Sequence, residues 1–392
     1  METALQGLKI LDFTTLLPGP FATMNLADMG ADVLRVTTAA RHDLLDDLPP
    51  LIEGENYSAA AAYLGRNKRS VLLNLRDAEA VRIVKKLVSE YDIIIEQFRP
   101  GVMDRLGLGY NALSAVNPRL IYCSLTGYGH GNSMSNRAGH DINYLSLGGV
   151  AGYSGGRAEG PSLNGIQTAD VASGSANAII AILAAVICRT RSGAGQFLDI
   201  SMTDGVMAFN SLWGANCLYS GESPERESTL LNGGTMYDYY ETRDGRHVAF
   251  GGLEPKFWEA FCRALGKEEW IPLTVYATSE VKAETRNIFL SHDLSHWLKV
   301  FRDVDACFEP VLTLSETFSS PLAREREMLV DVPAGEGRAI KQPGSPYKFS
   351  ETPARFDCAG KKPSPGETRT VLRELGYSES EIERMFDAGV LK

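Results

Sequence analysis

The feature of this sequence that most constrains its fold is an alternation of strand-like and helix-like segments across residues 1–125. Short apolar runs bounded by Gly, Pro or Asp alternate with segments that place apolar residues at helical spacing. The predicted strands lie in Leu8–Thr14, Asp32–Val36, Asp92–Ile95 and Leu120–Leu125, and the predicted helices in Phe21–Met29 and Ala78–Glu90. Such alternation is typical of βαβ units, whose parallel strands form a buried sheet. We therefore predict an α/β fold.

The later part of the chain differs in its pattern of residues. Tyr237–Thr242 and Arg246–Phe250 predict a hairpin around an Asp-Gly turn, and Pro255 is well placed to begin a helix. This part indicates a second, smaller domain. We predict a large domain in residues 1–220, a small domain in residues 221–330, and a C-terminal segment, residues 331–392, that returns to the large domain.

One segment, Val171–Arg191, is apolar nearly all round and predicts a central, buried helix. Its most apolar stretch, Ala176–Cys188, is shorter than the roughly 20 residues needed to span a bilayer. Residues 1–7 lack the basic start and apolar run of a signal peptide. We therefore expect a cytoplasmic protein without a membrane partner.

Charge and cysteine usage exclude two further classes of function. The chain has 39 Lys and Arg against 49 Asp and Glu, a formal net charge of −10, whereas nucleic-acid binding depends on neutralising phosphates with basic residues. Nucleic acid is therefore not an expected partner, although a local basic patch could hold an anionic ligand. The six cysteines are scattered without metal-type spacing, so no metal site is predicted.

Three side chains are candidates for proton chemistry. His140 lies just before a predicted helix, where the helix N-terminus favours a neutral imidazole that can accept a proton. A His that only satisfies a local hydrogen bond is the alternative explanation. Asp170 lies at the start of the long apolar helix, and N-capping alone would account for an Asp there. Glu254 precedes Pro255 and has the same alternative explanation, a helix-start carboxylate.

Eight segments, taken in order, resemble the class III CoA-transferase superfamily (CaiB/BaiF type). They are LKILDFTTLLPGP (8–20), RNKRS (66–70), DIIIEQFRPGVMDRLGLGY (92–110), GHDINY (139–144), GAGQFLDISMTDG (193–205), LNGG (231–234), LEPKF (253–257) and CFEPVLTLSE (307–316). GHDINY and LEPKF resemble the α-methylacyl-CoA racemase branch in particular. The resemblance implies a Rossmann-like large domain built from both chain ends, a smaller α+β domain, and an interlocked homodimer.

The resemblance also implies roles for the three candidates. His140 and Asp170, 30 residues apart, would flank the α-carbon of an acyl-CoA thioester, and Glu254 would orient the imidazole. An α-proton next to a thioester is only weakly acidic, so its removal needs a positioned base, and inversion needs an acid on the opposite face. This chemistry requires no metal or redox cofactor, and coenzyme A enters only as part of the substrate.

The alternative function is CoA transfer between carboxylic acids. In class III transferases the Asp that matches Asp170 attacks the donor thioester and later carries CoA as an aspartyl thioester. Two features of this sequence favour the racemase. Transferases of the formyl-CoA type do not normally have a His at position 140, and they carry four glycines where this chain has only Gly233 and Gly234.

The resemblance further implies a coenzyme A site in the large domain. The implied residues are Leu72, Leu73, Asn74, Leu75, Gln97, Phe98, Arg99, Arg105 and Arg137. For Lys68, Arg69 and Arg105 a solvated surface charge is the alternative explanation. Met202, Met207 and Met236 are candidates for an acyl-binding surface, with a place in the core as the alternative.

Two departures from the family pattern affect this region. The family has an acidic residue and an Arg after its second strand, where this chain has Thr37 and Thr38. Arg41 is the candidate to replace the missing cation. The loop Gly129-His130-Gly131-Asn132 lacks the family's proline and introduces His130, whose role the sequence leaves open.

Overall fold

The structure, a computed structural model, describes residues 2–38, 43–277 and 279–391. The chain divides into two compact units. The first comprises Met1–Gly148, Gly165–Val206 and Leu322–Lys392, and the second comprises Gly149–Asn164 and Met207–Pro321. Arg41, predicted to replace a lost cation, lies outside the described residues.

The first unit is built on a six-stranded sheet whose neighbouring strands all pair in parallel. Its strands are β1 (Lys9–Asp12), β2 (Asp32–Thr37), β3 (Lys68–Leu72), β4 (Ile93–Glu96), β5 (Ile121–Thr126) and β6 (Phe197–Ser201). Their order, β3-β2-β1-β4-β5-β6, is that of the doubly wound Rossmann fold. Every residue of β4 and β5 is buried, as expected for a parallel sheet with both faces covered. The predicted α/β class is confirmed.

Among the described residues, eleven α-helices lie wholly or mostly in this unit; the last three residues of α9 and the first residue of α15 belong to the second unit. They are α1 (Pro18–Asp28), α2 (Ala59–Leu64), α3 (Ala78–Val88), α4 (Val102–Arg105), α5 (Tyr110–Ser114), α6 (Asp141–Leu147), α8 (Asn177–Ser192), α9 (Met202–Phe209), α15 (Pro321–Glu325), α16 (Pro365–Glu374) and α17 (Glu379–Asp387). Asp77 caps α3, and the apolar side chains of that helix join one core with Val371 and Leu372 of α16. A hairpin of β10 (Leu329–Gly335) and β11 (Arg338–Pro343) completes the unit.

The RNKRS motif holds the C-terminal segment against the sheet. The Arg66 guanidinium and the Asp28 carboxylate, both fully buried, pair at 2.6 Å, and Arg66 also donates to the Pro343 carbonyl. Lys68 is buried 3.3 Å from Asp12, and burial lowers the pKa of Lys68 to about 8 although Asp12 opposes that shift. The alternative explanation of Lys68 as a solvated surface charge is therefore wrong, because the Lys68 ammonium is paired inside the fold.

The long apolar segment forms one continuous helix that begins as a π-helix and goes on as an α-helix. Ala169–Ala176 is a π-helix, and α8 follows it directly. Among the described residues, Ala169–Ser192 alone is long and apolar enough to cross a membrane, judged only by length and composition. The expectation of a wholly buried helix is wrong for this chain, because Ile180 and Ile187 are 63% and 62% exposed while Ile179 and Ile182 are buried.

The second unit combines a small antiparallel sheet with helices. The sheet, in the order β7-β8-β9, comprises β7 (Asp238–Glu241), β8 (His247–Phe250) and β9 (Phe308–Pro310). The helices are α7 (Val150–Tyr153), α10 (Trp213–Ser220), α11 (Pro255–Ala264), α12 (Ser279–Leu290), α13 (Leu294–Val300), α14 (Leu314–Ser319) and a 3₁₀ turn (Glu268–Leu273). The predicted hairpin and the helix start at Pro255 are confirmed. An aromatic core around Phe250, Trp258 and Phe289 holds this unit together.

Candidate active site

A cleft of about 710 Å³, here called the main cleft, opens at the carboxyl ends of the central strands. Its walls include Thr15–Pro18, which follow β1, and Gln97–Pro100, which follow β4. These two strands are neighbours at the point where the strand order reverses, the position at which open parallel sheets bind their ligands. The main cleft is thus placed by the topology of the sheet.

His140 lines the main cleft from the residue before α6. Its backbone N–H donates to the Asn143 side chain at 3.0 Å. The preceding Gly139 packs closely on two rings: an added Cβ would lie 2.5 Å from the Tyr128 hydroxyl and 2.7 Å from the Tyr144 ring. Tyr144 also donates its hydroxyl to the Gly139 carbonyl at 2.6 Å. His140 itself is exposed, whereas these contacts hold its backbone in place.

Asp170 lines the same cleft from the second position of the π-helix. Burial, and then the negative charge of Asp141, raise the pKa of Asp170 to about 7. Its carboxylate has no hydrogen-bond or ion-pair partner among the described residues. The capping explanation for Asp170 is wrong, because Asp141 performs that function: its Oδ1 accepts the N–H groups of Ala169 at 2.6 Å and Asp170 at 3.1 Å. π-Helical turns are frequent at functional sites.

Glu254 belongs to the second unit, where it is exposed at the residue before α11. His140 and Asp170 belong to the first unit. The role of Glu254 in orienting the imidazole stays a prediction from the resemblance.

A second cleft of about 510 Å³, here called the side cleft, contains several of the predicted coenzyme A residues. Leu73, Asn74 and Leu75 line it after β3, and Phe98 lines both clefts. Thr37 and Thr38, the departure from the family pattern, form part of its wall. Arg76 also lines it; sequence reasoning missed this cation, although it directly follows Leu75 in the same loop.

The remaining predicted residues divide between cleft and scaffold. Arg99 and Arg137 line the main cleft with exposed side chains. Gln97 lines it too, and its amide bonds both the loop after β1 and the start of α1: it donates to the Thr15 carbonyl at 2.6 Å and accepts from the Gly19 N–H at 3.2 Å. Leu72 is a buried residue of β3, and Arg105 is exposed at the end of α4; neither lines the two clefts.

His130 faces a different cavity, of about 270 Å³, which it lines together with Glu96. Its Nε2 lies 2.8 Å from the Ser124 hydroxyl, and that hydroxyl also bonds the Glu96 carboxylate. Burial raises the pKa of Glu96 to about 7, with Ser124 and the Phe98 N–H opposing the shift. His130 therefore takes part in a hydrogen-bonded series with Ser124 and Glu96, and it does not line the main cleft.

The three methionines have three different environments. Met202 lines the main cleft, whereas Met236 is fully buried in the core of the second unit. Met207 is 54% exposed. Of the three, the described structure places only Met202 beside His140 and Asp170.

Comparison with known proteins identifies the class to which this fold and site belong. The chain is a member of CoA-transferase family III, whose family model matches residues 5–369. It is 35% identical over 383 residues to the α-methylacyl-CoA racemase of Mus musculus, covering 96% of this chain and 95% of the relative. It is 31% identical to the succinyl-CoA:glutarate CoA-transferase of Mus musculus, covering 99% and 90%.

A solved structure supports the same assignment. The chain superimposes on a CaiB/BaiF family protein from Brucella suis with a TM-score of 0.83 and 28% identity, covering 96% of this chain and 100% of that one. The resemblance predicted from the eight segments is confirmed. This chain is therefore an acyl-CoA enzyme of the class III CoA-transferase family.

Proposed function

We propose that this enzyme is a 2-methylacyl-CoA racemase or epimerase that moves the α-proton of its substrate from one face to the other. The observation that carries the proposal is the presence of His140 and Asp170 in one cleft, with the pKa of Asp170 raised to about 7. The 35% identity to a protein named as a racemase supports it.

The proposed reaction has two proton transfers. The imidazole of His140 takes the α-proton, and the electron pair of the broken C–H bond moves into the thioester carbonyl to give an enolate. The protonated carboxyl of Asp170 then gives its proton to the α-carbon from the opposite face, and the carbonyl is restored. In the reverse direction the Asp170 carboxylate is the base and the His140 imidazolium is the acid.

The environment of Asp170 suits its proposed role. A general acid or base works best when its pKa lies near the operating pH, because both protonation states are then populated. Burial and Asp141 bring Asp170 into that range. An ordinary Asp, with a pKa of 3.8, would be almost fully ionised at neutral pH and a poor proton donor.

The second candidate is CoA transfer through an aspartyl-CoA thioester on Asp170. It is supported by the 31% identity to a protein named as a CoA-transferase, and by the unpartnered carboxylate of Asp170 in the main cleft. Attack on a thioester requires an ionised carboxylate, however, and burial works against that form. The racemase proposal uses both protonation states of Asp170 and also assigns a role to His140.

We propose that coenzyme A occupies the two clefts of the first unit. The side cleft, with Thr37, Thr38 and Asn74 in its wall, suits the adenosine end. Arg76, Arg99 and Arg137 are exposed cations placed to meet phosphates. The acyl end would then extend into the main cleft toward His140, Asp170 and Met202.

We further propose that the chain functions as an interlocked homodimer in the cytoplasm. Apolar side chains on several helices are exposed in the single chain, among them Ile180, Ile187, Leu218 at 90% and Tyr219 at 95%. Extensive exposed apolar surface is typical of protein–protein interfaces, which supports the presence of a partner chain on these helices. Size-exclusion chromatography with light scattering tests the proposal: a monomer at micromolar concentration would contradict it.

The decisive experiment is incubation with a 2-methylacyl-CoA in D₂O, without an acceptor acid, followed by mass spectrometry and chiral analysis. Deuterium at C2 with loss of stereochemical purity is expected for the wild type. His140→Ala and Asp170→Ala should each abolish it, and Asp331→Asn, at an exposed ion pair in the β10–β11 hairpin, should not. No exchange by the wild type across several branched substrates contradicts the racemase. Trapping of an Asp170–CoA thioester, in a chain that tolerates His140→Ala, would then establish the transferase.

A further inference from the structure

We propose that Asp141 is a positioning residue that ties the two groups of the proposed acid–base pair to each other. The Asp141 carboxylate accepts hydrogen bonds from the start of the π-helix that carries Asp170. Asp141 is also the residue that follows His140 in the chain. The inference rests on the proposed function and deepens it, because it names the residue that sets the relation between the two groups.

The hydrogen bonds of the π-helix show why a cap is needed there. The first N–H groups of a helix have no partner within it. Val171 donates its N–H to the Gln167 carbonyl at 2.9 Å, whereas the N–H groups of Ala169 and Asp170 both donate to Asp141 Oδ1. The cap thus comes from a residue 28 positions earlier than Ala169. A side chain from one helix closes the open end of another.

The helix that supplies this cap is itself held firmly. Asn143 accepts the His140 N–H, and Tyr144 donates to the Gly139 carbonyl. These bonds fix the backbone on both sides of His140, and Asp141 is the next residue. A displacement of α6 would therefore move the imidazole and the Asp170 carboxylate together.

Asp141 also has an electrostatic effect on its neighbour. After burial, its negative charge is the other cause that raises the pKa of Asp170. The titratable and charged groups around Asp170 are His140, Tyr144, Arg99 and Arg137, which line the same cleft, and Asp141 itself. Asp141 lowers the acidity of Asp170 by charge and holds its backbone by hydrogen bonding, and these two effects can be separated.

Two substitutions separate the two effects. Asp141→Asn keeps an oxygen that can accept both N–H groups but removes the charge. Asp141→Ala removes both. Asp331→Asn is the control for neutralising one carboxylate elsewhere in the first unit, where Asp331 pairs with Lys341 on the surface.

The first readout needs no activity. The titration of Asp170 is followed in the substrate-free protein by ¹³C NMR of labelled aspartate, with Asp170→Asn assigning the signal. The midpoint for Asp170 should lie near pH 7 in the wild type and in Asp331→Asn, and clearly lower in Asp141→Asn. An unchanged midpoint in Asp141→Asn overturns the electrostatic part of the inference.

The second readout is the pH profile of α-proton exchange. In Asp141→Asn the limb that reports Asp170 should move to lower pH with the maximal rate within about tenfold of wild type, whereas Asp141→Ala should lose about 100-fold in maximal rate because the carboxyl is displaced. Equal and small effects of both substitutions on rate and profile overturn the positioning role. If the wild type shows no exchange but Asp141→Asn still lowers the Asp170 midpoint, the coupling stands and the racemase proposal fails.

Discussion

We predict that the ionised carboxylate of Asp170 destabilises the folded protein, so that replacing it by a neutral amide should raise stability in a pH-dependent way. A carboxyl in an unfolded chain has a pKa near 3.8, and in the folded protein the pKa of Asp170 is about 7. The folded state therefore binds a proton more tightly than the unfolded state. Stability is unaffected by this group below the unfolded pKa, falls as pH rises from about 4 to about 7, and stays reduced above that.

The size of this effect follows from the shift. Each pKa unit corresponds to about 1.4 kcal/mol, so the full difference would be about 4 kcal/mol above pH 8. Asp170 is only partly buried and water screens it, so we expect about half, roughly 2 kcal/mol. At pH 5 much of the penalty has yet to develop. Asp170→Asn, which has no charge to bury, should escape all of it.

The assay is urea denaturation of the wild type and Asp170→Asn at pH 5 and pH 8.5. The substitution should raise the free energy of unfolding by roughly 1–2 kcal/mol more at pH 8.5 than at pH 5 while α-proton exchange is lost. The surface variant Asp331→Asn should show no such pH dependence. A stability gain that is the same at both pH values would refute the argument that the folded protein raises the pKa of Asp170 and is destabilised when this group ionises.

Three further predictions concern the scaffold and the ligand site. Arg66→Met should cost about 3–5 kcal/mol of unfolding free energy, because it leaves the buried Asp28 carboxylate without its paired cation and with only the Asn67 amide as a donor among the described residues, and adding Asp28→Leu should recover most of that loss. Gly139→Ala should reduce α-proton exchange about 100-fold with little change in the Kd for free CoA, because the new methyl group collides with the Tyr144 ring and displaces the following residue; wild-type exchange rates would contradict this. Arg99→Ala should raise the KM for an acyl-CoA about tenfold but leave the KM for the matching acyl-pantetheine unchanged, and an equal rise for both would exclude a phosphate contact.

Much of the fold follows from local sequence patterns. Apolar runs bounded by turn residues predict β1, β2, β4 and β5, because a parallel sheet buried on both faces needs continuous apolar strands. β3 was not predicted as a strand, because it begins with the charged residues Lys68 and Arg69 and lacks a continuous apolar run. The structure shows that these charges are paired with carboxylates, Asp12 for Lys68 and Asp32 and Glu374 for Arg69. Partners distant in sequence decide whether a charged residue is a surface residue.

The site residues that belong to sequence motifs could be predicted. A role that depends on hydrogen bonds between residues distant in sequence could not. His140 and Asp170 could be selected from the resemblance, and the structure brings them to one cleft. The role of Asp141 could not, because the two N–H groups that it accepts belong to residues 28 and 29 positions away. The partial burial of the long helix was also beyond the sequence, since an apolar composition does not show which side chains face the core and which face outward.

The attachment of the C-terminal segment to β3 has a consequence for synthesis of the chain. β3 is an edge strand, and its Leu72 N–H is paired by the Thr368 hydroxyl, while Ser70 bonds Glu367 beside it. An uncovered edge is a template for pairing with another strand. At ribosomal rates of about 5–20 residues per second, α16 emerges roughly 15–60 s after β3. During that interval the edge of the nascent sheet is open to pairing with other chains. We therefore expect the yield of folded protein to depend on chaperone binding at β3, even if the completed fold is stable.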